Sequence, residues 1–152
     1  MKINVDGAFI SSSGTAAVGV VIRYHNGQVK LASWRSLRYC RDAKEAKAVA
    51  YCEGIALAAQ WPDVLMVLET DSAMVAARLK SNVMDRSVGW FLGREARTNM
   101  EELCRLEIAK ISRSKNNVAH ELVHFAIRSG RSEVFFASFP KFVLSRVCND
   151  TT

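Results

Sequence analysis

Val64-Leu65-Met66-Val67-Leu68-Glu69-Thr70-Asp71-Ser72 decides how this chain is built. Its first five residues form an unbroken apolar run, the mark of a strand buried on both faces. Such a strand needs helices over its sheet, and helical patterns lie on either side. Before it, from Asp42, Ala43, Ala46, Val49, Ala50, Ile55, Leu57 and Ala58 fall in an alanine-rich segment that predicts a helix ending near Gln60-Trp61-Pro62. Gly54 inside that helix costs roughly 1 kcal/mol against Ala, which points to close packing on a neighbour. After it, Thr70-Asp71-Ser72 caps a short helix to about Leu79. Val88 to Cys104 reads as a longer amphipathic helix and Leu106 to Ile111 as an alternating strand. Asn116 or Asn117 caps a last helix to about Ile127, stopped by Gly130.

Further out, the chain opens differently. Lys2 to Phe9 alternates as a strand, Ser11-Ser12-Ser13-Gly14 is a turn cluster, and Ala16 to Tyr24 is a valine-rich second strand. Asn26-Gly27 is a strong hairpin signal, and Gln28 to Ser36 follows as a third strand. The expected order is β-β-β-α-β-α-α-β-α: an antiparallel meander of three strands, then parallel strands, in one mixed sheet. Residues 131–152 read as an irregular tail with a packed cluster of Phe135, Phe136, Phe139 and Phe142.

The 152 residues fit one domain, with 49% hydrophobic and 24% charged residues, which excludes a disordered chain. No apolar run approaches the roughly 20 residues of a membrane span. The opening residues lack an apolar signal region, so an intracellular place, nuclear or cytoplasmic, is expected. Cys40, Cys52, Cys104 and Cys148 match no zinc spacing and are read as free thiols. The net charge of +6 fits a polyanionic partner such as nucleic acid, and equally fits plain solubility.

Three residues could carry chemistry. Asp6 sits inside the first strand on the face opposite Ile3 and Val5, where a solvent-facing role is the bland alternative. Asp71 ends the apolar strand, where capping a helix would by itself explain it. His120 lies in the first turn of the last helix and alone reads as a surface or core-edge residue. Paired carboxylates at converging strand ends suit Mg²⁺, which takes oxygen ligands.

Several segments, in order, carry a resemblance. They are Asn4-Val5-Asp6-Gly7-Ala8-Phe9, Gly19 through Gly27, Glu45-Ala46-Lys47-Ala48 through Ala58, and Leu68-Glu69-Thr70-Asp71-Ser72. Arg113-Ser114-Lys115-Asn116-Asn117-Val118-Ala119-His120 and Phe139 through Leu144 complete the set. Together they resemble the ribonuclease H-like domains common in plant proteins and retroelements. The resemblance implies a ribonuclease H-like α/β fold, with a five-stranded mixed sheet flanked by helices. It also implies a nuclease, a hydrolase that cuts the RNA strand of RNA–DNA hybrids with two Mg²⁺ ions, or Mn²⁺ in their place, held by an Asp-Glu-Asp-Asp set.

Position by position, Asp6 is the first acid and Asp71 the third, both intact and both expected to bind metal. His120 stands at the fourth, and Arg113 and Asn116 at substrate-binding positions. The second is the departure. Counting from Gly54 or from Asp71 lands on Lys47, and Glu45, two residues earlier, faces about 200° away on a helix. Two registers follow. Either Glu45 is recruited to the second position beside Asp6, Asp71 and His120, or the Lys47 ammonium fills the site, pairs with Asp6 or Asp71, and leaves metal binding weak or absent. The expected functions are accordingly a hybrid-cutting ribonuclease, a degenerate domain that binds RNA–DNA hybrid or double-stranded RNA without cutting, and a protein-interaction module within a larger protein. Arg23, Lys30, Arg35, Arg38, Arg113 and Lys115 are candidate phosphate contacts, and Trp34, Trp61 and Trp90 are read as core or groove-edge residues.

Overall fold

The computed structural model describes residues 1–80, 94–103 and 105–144. Three long strands open it: β1 (Lys2–Ile10), β2 (Thr15–Arg23) and β3 (Val29–Leu37). β1 and β2 pair antiparallel over their whole length, from Lys2 opposite Arg23 to Ile10 opposite Thr15. The β2–β3 turn closes with Gly27 at φ 85°, a conformation that favours glycine, and its N–H donates to the Tyr24 carbonyl at 3.0 Å. Helix α1 (Ala43–Ala58) then leads to β4 (Met66–Thr70), and helix α2 (Ala73–Lys80) follows. Helix α3 (Arg94–Glu102), β5 (Leu106–Lys110), a 3-10 turn (Arg113–Lys115), helix α4 (Asn117–Ser129), β6 (Glu133–Phe136) and a second 3-10 turn (Lys141–Val143) complete the described elements. The start expected for the longer helix at Val88, together with Trp90, Cys104 and Cys148, lies outside the described residues.

The sheet has six strands in the order β5-β4-β1-β2-β3-β6, one more than the five expected. β4 runs parallel to β1 and β5 parallel to β4, while β6 adds antiparallel to β3. The extra strand comes from the stretch read as irregular. Its four residues pair Leu31 with Phe136 and Trp34 with Glu133. Strand alternation also corrects the aromatic cluster. Phe135 turns inward and stacks on Trp34 with ring centroids 5.3 Å apart, whereas Phe136 turns outward and is 60% exposed. Phe139 and Phe142 do join the inner cluster.

Two cores sandwich the sheet. On one face Ile3, Val5, Val20, Ile22, Leu31 and Leu68 meet Ile55 and Tyr51 of α1. On the other, Ala17, Val21, Ala32 and Trp34 meet Leu122, Val123 and Ala126 of α4. Burying one large aliphatic side chain contributes about 1.5–3 kcal/mol, so a central strand apolar on both sides is strongly placed. Gly54 does mark a close crossing: a Cβ there would lie 2.5 Å from Val5 Cγ1. The apolar strand begins at Met66 rather than Val64 and runs through Glu69 and Thr70. Glu69 is buried because partners meet it. Asn4 Nδ2 donates to its Oε2 at 2.9 Å, Lys2 Nζ lies 3.0 Å from its Oε1, and Arg23 donates to Asn4 Oδ1 at 2.6 Å. This polar chain ties β1, β2 and β4 together on the α4 side of the sheet.

Candidate functional site

The parallel pairing of β1 and β4 fixes where Asp6 and Asp71 meet. Asn4 lies opposite Glu69, so two residues further along each chain bring Asp6 and Asp71 to the same end of the sheet. Neighbouring strands lie about 4.8 Å apart. Both residues line one open cleft of about 490 Å³, with Gly7, Lys47, Arg113, Asn116 and His120 among its other walls.

Asp6 is not solvent-facing. Its side chain is 17% exposed, under α4, and both oxygens are engaged. Oδ1 accepts the Gly7 N–H at 2.9 Å, and Oδ2 lies 2.8 Å from His120 Nδ1. Asp71 is not used as a helix cap. Ser72 Oγ accepts the Val75 N–H at 3.3 Å and caps α2, which leaves the Asp71 carboxylate to the cleft. Beneath it the Tyr51 hydroxyl bonds Thr70 Oγ1, and that oxygen also accepts the Ser72 N–H at 3.0 Å. Burial pushes the Tyr51 phenol up to about 12; the Thr70 bond opposes this, and the Asp71 and Asp6 charges add to it. A neutral Tyr51 therefore braces the turn that carries Asp71. Sequence reading missed Tyr51 and Thr70, since a tyrosine in an alanine-rich helix carries no signal of its partner.

Lys47 and Glu45 part company. Asp42 caps α1 by accepting the Glu45 N–H at 2.8 Å, and the Glu45 carboxylate reaches back to the Arg41 N–H at 2.6 Å. That backbone bond, with the Arg41 guanidinium adding to it, holds the Glu45 carboxyl below its usual range. Glu45 is thus committed to the helix start and is not part of the cleft wall. The Lys47 side of α1 faces the cleft because β1 has no side chain at Gly7. A Cβ there would lie 2.4 Å from Ala46 O and 2.9 Å from Lys47 N, so the Ala46–Lys47 peptide rests directly on β1 beside Asp6. The expected ion pair is not formed, however. Lys47 is exposed, and no Asp6 or Asp71 oxygen lies within 4.0 Å of its ammonium among the described ion pairs. His120 occupies Asp6 instead, and a long lysine chain keeps its rotamer freedom and its hydration.

Asn116 holds a structural post. It is buried, and its Nδ2 donates to the Val5 carbonyl at 3.0 Å, fastening the start of α4 to β1. Its side chain makes no cap bond to α4, contrary to the expected capping role. Arg113 is exposed on the cleft wall. Of the other candidate phosphate contacts, Arg23 is buried in the Asn4 chain and Arg35 pairs with Glu53 at 2.6 Å. Trp34 lies in the core, while Trp61 is half-buried under Lys30.

One turn beyond His120, His124 brings its Nε2 to 2.9 Å from His120 Nε2. Partial burial, then the neighbouring His120, holds the His124 imidazole below its usual pKa; Arg128 adds to this, and Glu121 and Asp6 oppose it. With the folded value below the unfolded one, protonation favours the unfolded chain, so stability falls as pH drops from about 6.5 through the folded value. An NMR titration should show His124 protonating below 6.5 in the wild type and closer to 6.5 in His120→Ala. An unchanged midpoint in that variant would remove His120 as a cause.

Residues 4–126 match the profile of a family described as reverse transcriptase-like. No curated protein matches the sequence significantly. Among solved structures, RNase H1 from the halophilic archaeon Halobacterium salinarum NRC-1 is 22% identical, with a TM-score of 0.70 over 84% of this chain and 97% of that one. LC11-RNase H1 in complex with an RNA/DNA hybrid gives 22% identity and a TM-score of 0.70, over 85% and 97%. The foamy viral protease-reverse transcriptase in complex with dsDNA gives 19% and 0.61, over 84% and 94%. These likenesses establish a ribonuclease H-like fold. No described helix is long and apolar enough to cross a membrane.

Proposed function

The chain belongs to the reverse transcriptase-like family, and from there we propose that it is a ribonuclease H-like domain that grips the backbone of an RNA–DNA hybrid and cuts its RNA strand weakly or not at all. The observation that carries this reading is the exchange on α1: Lys47 lines the cleft with Asp6, Asp71 and His120, while the Glu45 carboxylate is bonded back to the Arg41 N–H. The whole chain is read as one such domain.

Each residue then has a task. Arg113 and Lys47 present cations to phosphates from two walls of the cleft, a grip that depends on charge and backbone shape. Asn116 keeps that wall in place by its bond to Val5. His120 is held by Asp6 through Nδ1, so its ring direction is fixed at the cleft. Asp6 and Asp71 offer the oxygen donors that Mg²⁺ or Mn²⁺ takes, so the residues present fit one hard dication. They do not fit two, because an ammonium stands at the α1 position where the resemblance implies a bridging carboxylate. A bound dication would polarise a phosphate oxygen and acidify a water.

Titration of a labelled RNA–DNA hybrid at several salt concentrations tests the grip. Affinity should fall as salt rises, and Arg113→Ala should weaken binding and flatten the slope by about one unit of released counterion. Affinity that ignores salt, or no hybrid binding at all, would leave the protein-interaction module instead.

A further inference from the structure

We propose that His120 and His124 form a two-imidazole site for a borderline transition-metal dication, of the Ni²⁺, Zn²⁺ and Cu²⁺ class, next to the Asp6–Asp71 pair. Four residues apart on α4, the two side chains share one helix face. Their Nε2 atoms are 2.9 Å apart, and the rings meet edge to face with centroids at 4.3 Å. A metal about 2.1 Å from each nitrogen would span that gap at an angle of roughly 90°, as in square or octahedral coordination. The Asp6 carboxylate supplies the second observation. It accepts the Nδ1–H of His120 at 2.8 Å, which leaves Nε2 of that ring with its lone pair. A carboxylate behind a histidine, fixing its tautomer and raising its basicity, is how metal-binding imidazoles are commonly oriented.

Both imidazoles reach solvent, so an ion has access: His120 is 40% exposed and His124 lies on the open side of α4. Binding would displace the hydrogen between the two Nε2 atoms to Nδ1 of His124, so both rings would face the metal as neutral imidazoles with no net proton released. Among the described residues no set of three His, Cys, Asp or Glu side chains is arranged around a metal, so the remaining positions fall to water. Nitrogen donors favour this class of ion, while Mg²⁺ takes oxygen. The site therefore differs in chemistry from the carboxylate pair, which it adjoins through Asp6.

The test is calorimetric titration of the full chain with Ni²⁺ alone, with cysteines kept reduced by a non-chelating phosphine. Imidazole ¹⁵N resonances are followed in parallel. One Ni²⁺ should bind per chain and shift the resonances of His120 and His124. His124→Ala should weaken binding at least about tenfold, and Asp6→Asn by about tenfold as an orienting partner lost. Excess Mg²⁺ should not compete. Wild-type binding no tighter than that of His124→Ala would overturn the site. So would loss of binding in His25→Ala, the chain's third histidine, in the β2–β3 turn. Neither result bears on hybrid binding, which is measured without transition metal.

Discussion

Lys47→Glu should raise Mg²⁺-dependent cleavage of an RNA–DNA hybrid well above the wild-type level. The substitution exchanges a cation for an anion on the helix face that rests beside Asp6. At about 6 Å and an effective dielectric constant near 20, one pair of charges interacts by about 3 kcal/mol. Lys47 is exposed, so water screens much of this, and an effect of about 1–2 kcal/mol, near tenfold in metal affinity, is the fair expectation. Lys47→Ala should give less, since it removes repulsion without adding a ligand. Asp71→Asn in the Lys47→Glu background should abolish the gain. Glu45→Ala should leave cleavage unchanged and slightly loosen the start of α1 by removing the acceptor of the Arg41 N–H. Cleavage assays on one hybrid at one salt concentration compare all of these. Vigorous wild-type cleavage that disappears in Glu45→Ala would mean that Glu45 reaches the cleft after all.

Gly7→Ala should destabilise the fold by about 2–3 kcal/mol, the upper range for one added methyl in a packed place. The added carbon would lie 2.4 Å from Ala46 O and 2.6 Å from Ala46 C, which are backbone atoms and cannot swing aside. Relief requires moving the first turns of α1 off β1, and Lys47 with them. For a domain of this size the loss corresponds to a fall of roughly 4–10 °C in Tm, read by thermal melting. Gly14→Ala is the useful contrast. Gly14 has φ 69° with nothing within 4 Å, so only backbone strain opposes the methyl there, about 1–2 kcal/mol. A Gly7→Ala protein as stable as wild type would show that the α1–β1 crossing yields easily.

The central architecture could be read from the chain because its signals are local. The valine-rich β2, the Asn26-Gly27 turn, the Gly130 stop at φ 65° and the close crossing at Gly54 each follow from a few adjacent residues. β6 could not be read that way. Glu133–Phe136 is too short for alternation to show, and it becomes a strand only because β3 offers an open edge. At the cleft, sequence spacing placed Asp6, Asp71, Lys47 and His120 on the right elements. It could not say which partner each would take. Asp6 has a hydrogen-bond partner 114 residues away, and that depends on how α4 lies over the sheet. His124 was visible in principle, four residues beyond His120, but a pair of histidines has meaning only once Asp6 orients the first.

The sixth strand also says where this protein can safely be cut. The matched family region ends at residue 126, yet β6 covers β3 as far as Trp34, and Phe142 meets the Trp34 ring at 5.7 Å. A truncation drawn at the end of α4 would strip one side of that tryptophan and bare a long strand with unpaired N–H and C=O groups. Strand edges of that kind recruit other chains, so the shortened protein would self-associate in solution and precipitate on concentration. Residues 133–143 thus act as a guard on solubility, and an expression boundary belongs beyond residue 143.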